Sequence, residues 1–232
     1  MTSLRKTALV AGIFYLVTFV SIPTLALYGP VHETNFIVGP GPDAPVRVGA
    51  FLEIVVALAG IGTAVTLYPV VKRQNQGAAL GFVGTRVLEA AGITTGVVAL
   101  LTLVGLRQAD ASGAEAAALL TTGKALVATY DAAFLLSQSL MPVFNALLLG
   151  SLLYRSRLVP RVLPGLGLVG APLLLASDLA ILFGVLDRLS PLAAVAALPI
   201  ALWEFSLGVW LVVKGFRPVP ILTSGIPQPH GN

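Results

Sequence analysis

Polar positions are sparse along this chain, and their spacing divides it into predominantly apolar stretches over residues 7–28, 48–71, 77–106, 124–154, 163–186 and 191–213. An α-helix rises about 1.5 Å per residue, so about twenty apolar residues cross the roughly 30 Å hydrocarbon core of a bilayer. The pattern predicts an all-α, polytopic membrane protein, a bundle of six transmembrane helices forming one domain over residues 1–213. The proline-rich remainder, 214–232, is expected to be a disordered cytoplasmic tail. Thr24-Leu25-Ala26 could pass for a leader cleavage site, but the first apolar run is long for the core of a signal peptide and is expected to be a span.

The connections carry their own signals. Residues 29–47 hold Pro30, Pro40, Pro42 and Pro45 and predict an irregular loop. Ser112 followed three residues later by Glu115 has the spacing of a capping box, predicting a short surface helix before the fourth span. Gly77, Gly81, Gly92 and Gly96 make two small-residue steps of four, the spacing that lets helix backbones approach closely in lipid. A tight turn is expected over 187–191. No internal repeat is found, since the acidic residues of spans two and five lie at different distances from their helix starts.

Composition strengthens the membrane reading: 56% of residues are hydrophobic and 10% charged, against about a quarter charged in soluble proteins. The net charge of +4 comes from 14 Lys and Arg that sit mainly at segment ends, so it argues for orientation in a membrane and against a nucleic-acid partner. The absence of cysteine excludes a disulfide framework, a thiolate nucleophile and a Cys metal site. His32 and His230 fall in a loop and the tail, so neither a zinc-binding helix nor a His-based triad can be assembled, and no cofactor is implied. Tyr130-Asp131 is half of an intramembrane aspartyl protease signature, but no Gly-x-Gly-Asp accompanies it.

Polar residues inside the spans are the candidates for function, because an ionisable side chain at mid-membrane costs about 2.5–3.5 kcal/mol on insertion scales and must face the bundle interior. Lys124, Asp131, Gln138 and Asn145 recur every seven residues in span four. A heptad step drifts only about 20° around a helix, so they are expected on one face as a polar seam, with Pro142 freeing the carbonyl of Gln138 on that face. Rise arithmetic puts Arg86, Glu89, Glu204 and Asn145 at similar depth as one inner cluster, whose two carboxyls and one guanidinium balance only when one carboxyl keeps a proton. Glu53, Asp131 and Asp178 lie nearer the outer face and are expected to form an acidic vestibule, with Ala57, Gly60 and Ala64 on the close-packing face of Glu53. Arg155, Arg157 and Arg161 form a patch suited to anionic lipid head groups, about 1 kcal/mol per residue near the surface. Trp203, Trp210 and Phe216 read as lipid-facing or interfacial anchors.

Tyr154-Arg155-Ser156-Arg157-Leu158-Val159-Pro160-Arg161, Arg86 with Glu89, and Trp203-Glu204 followed by Gly208, Trp210, Lys214, Gly215 and Phe216 form a combined pattern. On it the chain resembles, over essentially its whole length, a bacterial family of multi-span membrane proteins catalogued as domain of unknown function 4386. That resemblance implies a six-span architecture and carries no activity. Two functional readings follow from the residues. One is a small transporter or channel-like protein for protons, cations or a small solute along an internal polar path. The other is a non-transporting membrane scaffold or regulatory partner whose buried polar groups serve helix assembly.

The connections on one side carry Arg5, Lys6, Lys72, Arg73, Arg155, Arg157, Arg161, Lys214 and Arg217, whereas those on the other carry Arg47, Arg107, Lys124 and Arg188 with most of the acids. Positive charge accumulates on the cytoplasmic side, which makes both termini cytoplasmic in a cell membrane. Reporter fusions after Arg73, Arg161 and Arg217 are therefore expected to report the cytoplasm, and an external signal at any of the three refutes this threading.

Overall fold

The computed structural model describes residues 3–219. These residues are helical, without strands, and contain six helical segments long and apolar enough to cross a membrane, at 3–27, 44–71, 76–105, 113–156, 162–182 and 191–213. The protein is a six-helix, multi-pass membrane protein. Helix α1 (Ser3–Val17) and the short α2 (Thr24–Leu27) make up the first span, separated by a 3₁₀ turn at Thr18–Ser21 and Pro23. The others are α3 (Ala44–Val71), α4 (Gln76–Gly105), α5 (Gly113–Phe134) running through a π turn (Leu135–Ser139) into α6 (Leu140–Ser156), α7 (Val162–Leu182) and α8 (Pro191–Val213).

The spans pack mostly beside their sequence neighbours, and α8 returns to α1, closing a ring. Glycines set that last contact: a Cβ on Gly12 would stand 2.7 Å from the carbonyl oxygen of Gly208. At the N-terminal face, Arg5 closes the ring by donating to the final carbonyls of α8, Leu211 at 2.8 Å and Val212 at 2.5 Å. Those carbonyls have no partner within the helix, and a cation favours the negative end of the helix dipole. The large apolar side chains left exposed, among them Phe51, Leu58, Val169 and Leu202, belong to the outer surface of the ring. In a chain of this composition that is the lipid face.

Several expectations change in the folded chain. The fourth span is one continuous helical segment of 44 residues, about 66 Å at the helical rise and twice the hydrocarbon thickness. No separate surface helix precedes it, and Ser112 makes no side-chain cap, so the capping box is not formed. The Ala-rich stretch after Ser112 has high helix propensity and gives the helix no reason to stop before the span. Of the loop expected over 29–47, Gly29–His32 form a 3₁₀ turn and 44–47 already belong to α3, and the segment between is packed down: Val31, Phe36 and Ile37 are buried against Tyr28, Leu100, Leu103 and Tyr130. Arg107 pins this loop. Its guanidinium donates to the carbonyls of Phe36, Gly39 and Gly41, pairs with Asp43 at 2.8 Å and lies over the Phe36 ring.

Trp203 is not a lipid anchor. It is fully buried, seated on Gly167 of α7, where the missing side chain makes room for the indole. Trp210 is half-buried and donates to the carbonyl of Gly215. Residues 214–219 of the expected tail are packed: Phe216 and Val219 lie against the core, and the Arg217 amide donates to the carbonyl of Leu158. Residues 220–232, and His230 with them, lie outside the described residues.

A Cβ on Gly167 would come within 2.5 Å of the Trp203 ring, whereas one on Gly165, two residues earlier in the same helix, would meet nothing within 4 Å. Gly167→Ala is expected to destabilise the bundle by about 1–3 kcal/mol through overpacking. Gly165→Ala is expected to be neutral or to stabilise by up to about 1 kcal/mol through helix propensity. Unfolding titrations of both variants in detergent check the pair.

Candidate functional site

A π turn at Leu135–Ser139, just before Pro142, sets how the fourth span presents its polar residues. The Pro142 ring would strike the carbonyl four residues back, at Gln138. The helix widens there into the π turn, in which the Leu140 amide reaches the carbonyl of Leu135, five residues earlier. An extra residue in one turn rotates everything after it by about 100° relative to an unbroken helix. The four heptad-spaced residues consequently do not form one seam. Lys124 is exposed, and Asp131 is half-buried at the face opposite the N-terminal one. Gln138 turns to α3, and Asn145 is fully buried against α4.

The inner layer brings together Arg86, Glu89, Asn145 and Glu204. The Arg86 Nη1 lies 3.2 and 3.0 Å from the two oxygens of Glu89, and its Nη2 lies 2.6 Å from Glu204 Oε1. Asn145 Nδ2 donates to Glu89 Oε2 at 2.7 Å, and its carbonyl oxygen accepts from the Thr85 hydroxyl at 2.6 Å. The rings of Tyr15 and Phe82 flank the guanidinium at 5.4 and 5.8 Å. Arg86 is 2% exposed, so a planar, permanently charged fork ties α4 to α8 with almost no help from solvent. Thr85 and Tyr15 belong to this layer and carry no charge or motif that would single them out in the sequence.

The outer layer does not gather its acids into one vestibule. Glu53, fully buried on α3, accepts at Oε1 from Tyr130 OH at 3.1 Å and from Gln138 Nε2 at 3.0 Å. Asp178, buried on α7, accepts from the Ser139 hydroxyl at 2.6 Å. Asp131 sits at the rim, with Oδ1 2.8 Å from Arg188 Nη2 and 3.2 Å from His32 Nε2. The reason is the π turn: its adjacent residues Gln138 and Ser139 serve carboxyls on different helices. Its third polar residue, Ser137, packs on Gly92 of α4, where a Cβ would stand 2.5 Å away. Among the described residues, Glu53 Oε2 and Asp178 Oδ2 have no hydrogen-bond partner, and neither carboxyl has a cation within ion-pair distance.

At the N-terminal face Arg155, Arg157 and Arg161 are all exposed. Arg157 adopts a left-handed backbone (φ 57°) that ends α6, and Arg161 stacks on Tyr154 at 5.0 Å. No group of three or more His, Cys, Asp or Glu capable of holding a metal ion occurs among the described residues.

Residues 10–215 match the family model described as Domain of unknown function (DUF4386). The chain belongs to this family. The match spans every polar residue of both layers, so the inner cluster and the π turn lie within the DUF4386 domain. No curated protein matches the chain, and no solved structure does.

Removing Arg86 from the inner layer leaves two buried carboxyls uncompensated. Arg86→Leu is expected to cost about 3–5 kcal/mol. Because the guanidinium holds both glutamates, Arg86→Leu with Glu204→Leu should recover only part of that loss, and adding Glu89→Leu should recover more. Additive effects across this series, measured by detergent unfolding, would show that the three side chains are not coupled.

Proposed function

We propose that this DUF4386 protein is a small transporter or channel-like protein for protons or small cations, with the π turn of the fourth span as the element around which its path is built. One observation carries the reading: Glu53 and Asp178 are buried in the spans without a cationic partner, and each has an oxygen that makes no hydrogen bond among the described residues. Leaving a carboxylate uncompensated in lipid costs several kcal/mol, so each group needs a proton or a cation for neutrality. Helix assembly alone needs no such groups, since amides and hydroxyls bridge spans at lower cost. π turns are rare and occur frequently at functional sites.

The scaffold reading draws on a different observation, the pairing of charges and amides within the inner layer. Arg86 is matched by Glu89 and Glu204, and Asn145 is satisfied on both sides. A network of that kind ties α4, α6 and α8 together, and in the transport reading it is the fixed base of the bundle. The N-terminal face is the cytoplasmic one in this proposal, and Arg155, Arg157 and Arg161 meet anionic head groups of the plasma membrane.

Flux measured in sealed vesicles with a panel of ions and solutes at two pH values tests the proposal directly. A companion test uses single cysteines, since the chain has none of its own. Positions 131 and 138 are expected to react with water-soluble thiol reagents, which need a hydrated thiolate, while 133 and 140 stay unreactive. Absence of flux together with a dry position 138 overturns transport in favour of the scaffold.

A further inference from the structure

Glu53 is fully buried, and a chain of side-chain contacts joins it to a surface cavity that its own carboxyl does not line. A cavity of about 270 Å³ lies on the face opposite the N-terminal one, lined by Leu103, Leu120, His32, Glu33, Lys124 and Asp131 among others. At its edge Asp131 bridges the 29–43 loop, through His32, and the α7–α8 connection, through Arg188. The Arg188 guanidinium lies 4.7 Å from the Phe134 ring and 6.0 Å from the Tyr130 ring. The Tyr130 hydroxyl in turn donates to Glu53. Tyr28 packs edge-on against Tyr130 at 5.3 Å, and its carbonyl lies 3.1 Å from His32 Nδ1, so the loop residue that holds Asp131 also braces the pocket around the carboxyl.

We propose that Glu53 is a proton-binding site reached from this cavity, with the His32–Asp131–Arg188 contact as a latch over it, an assignment that rests on the transport reading above. The chemistry of the neighbours selects a proton over a metal cation. Tyr130 and Gln138 both aim hydrogens at Oε1, and Oε2 is the oxygen left open. A bound metal cation wants several oxygen lone pairs directed at it. This pocket directs two donors at Oε1 and leaves Oε2 beside the Tyr28 hydroxyl, which is also without a hydrogen-bond partner among the described residues and can accept from a proton added to Oε2. Departure of that proton regenerates the carboxylate that the same two donors stabilise, so no other group has to change.

The charged and titratable groups around Glu53 are Tyr28 from the segment after α2, Tyr130 from α5 and Arg188 from the α7–α8 connection, with Asp131 and His32 at the rim. At neighbouring turns α4 meets α3 through Ile93 and Val97, which titrate nothing. Proton occupancy therefore depends on how firmly the latch holds Arg188 and the loop in place. Its three side chains are partly exposed, between 19% and 37%. Such contacts contribute little each, so the latch can open at modest cost.

Infrared difference spectra of the protein in liposomes, wild type against Glu53→Gln, read the carboxyl directly. The expected result is a protonated-carboxyl band that is absent in Glu53→Gln, is titrated away at high pH and shifts in deuterated buffer. Tyr130→Phe keeps the carboxyl but removes one donor, so it should move the band without abolishing it, even if Glu53→Gln folds poorly. Asp131→Asn should speed deuterium exchange of the band about fivefold, the scale of a partly exposed ion pair. A spectrum with no contribution sensitive to Glu53 or Tyr130 overturns the proposal. So does a band that never exchanges, or one that is displaced by sodium or potassium ions at fixed pH. If the band behaves as expected but vesicles carry no flux, the proton site stands and the transport reading falls; flux without the band means that the path runs elsewhere.

Discussion

In a hydrocarbon environment a charged or hydrogen-bonding group must find its partner inside the protein, and the guanidinium of Arg86 is the group on which that demand falls hardest. It cannot lose its charge, it is almost wholly shielded from solvent, and it has two carboxyls from two helices as partners. Satisfying it fixes the relative height of α4 and α8. The carboxyl of Glu89 then fixes Asn145, and so the height of α6, while the ring of Tyr15 brings α1 to the same level. Four of the six spans are registered by one side chain.

A second constraint sits just before Asn145 in the fourth span. Pro142 cannot donate to the Gln138 carbonyl, and the helix beside it widens into a π turn that aims consecutive polar residues at different neighbours. Ser137 meets α4, Gln138 meets α3 and Ser139 meets α7. This junction joins the fourth span to three neighbours, as the inner cluster does. The two differ in chemistry: the inner one has its own cation, and the outer one has acids without a counter-charge. In the inner layer a surplus carboxyl shares that cation, whereas Glu53 and Asp178 face no cation within ion-pair distance.

Packing around both layers depends on small residues placed where bulk must pass. Gly167 admits Trp203, Gly92 admits Ser137, and Gly12 with Gly208 lets α1 and α8 touch. Without an aqueous hydrophobic effect between helices in lipid, such close approach supplies dispersion contact that larger side chains would prevent. Arg107 performs the equivalent task at the opposite face, where the 29–43 loop has no regular hydrogen-bond ladder and borrows donors from one guanidinium.

Local signals were enough for the number of spans, their approximate ends and the all-α class, because the length of an apolar run and the charges at its ends act within one segment. Depth along the membrane was legible as well. Rise per residue is constant, so Arg86, Glu89, Asn145 and Glu204 could be assigned to one level from their positions in antiparallel spans. Direction around each helix was not legible. The heptad of Lys124, Asp131, Gln138 and Asn145 presumes an unbroken helix, and the response to Pro142, a widened turn instead of a kink with a free carbonyl, depended on what the neighbouring helices offered Gln138 and Ser139. Glu53, Asp131 and Asp178 lie in the same outer half but were divided among separate partners for that reason. Trp203 reads as a lipid anchor until Gly167, 36 residues away in sequence, makes a place for it inside. Periodicity and composition determined what each segment is and how deep its polar residues lie; contacts between segments decided which way those residues point and what they hold.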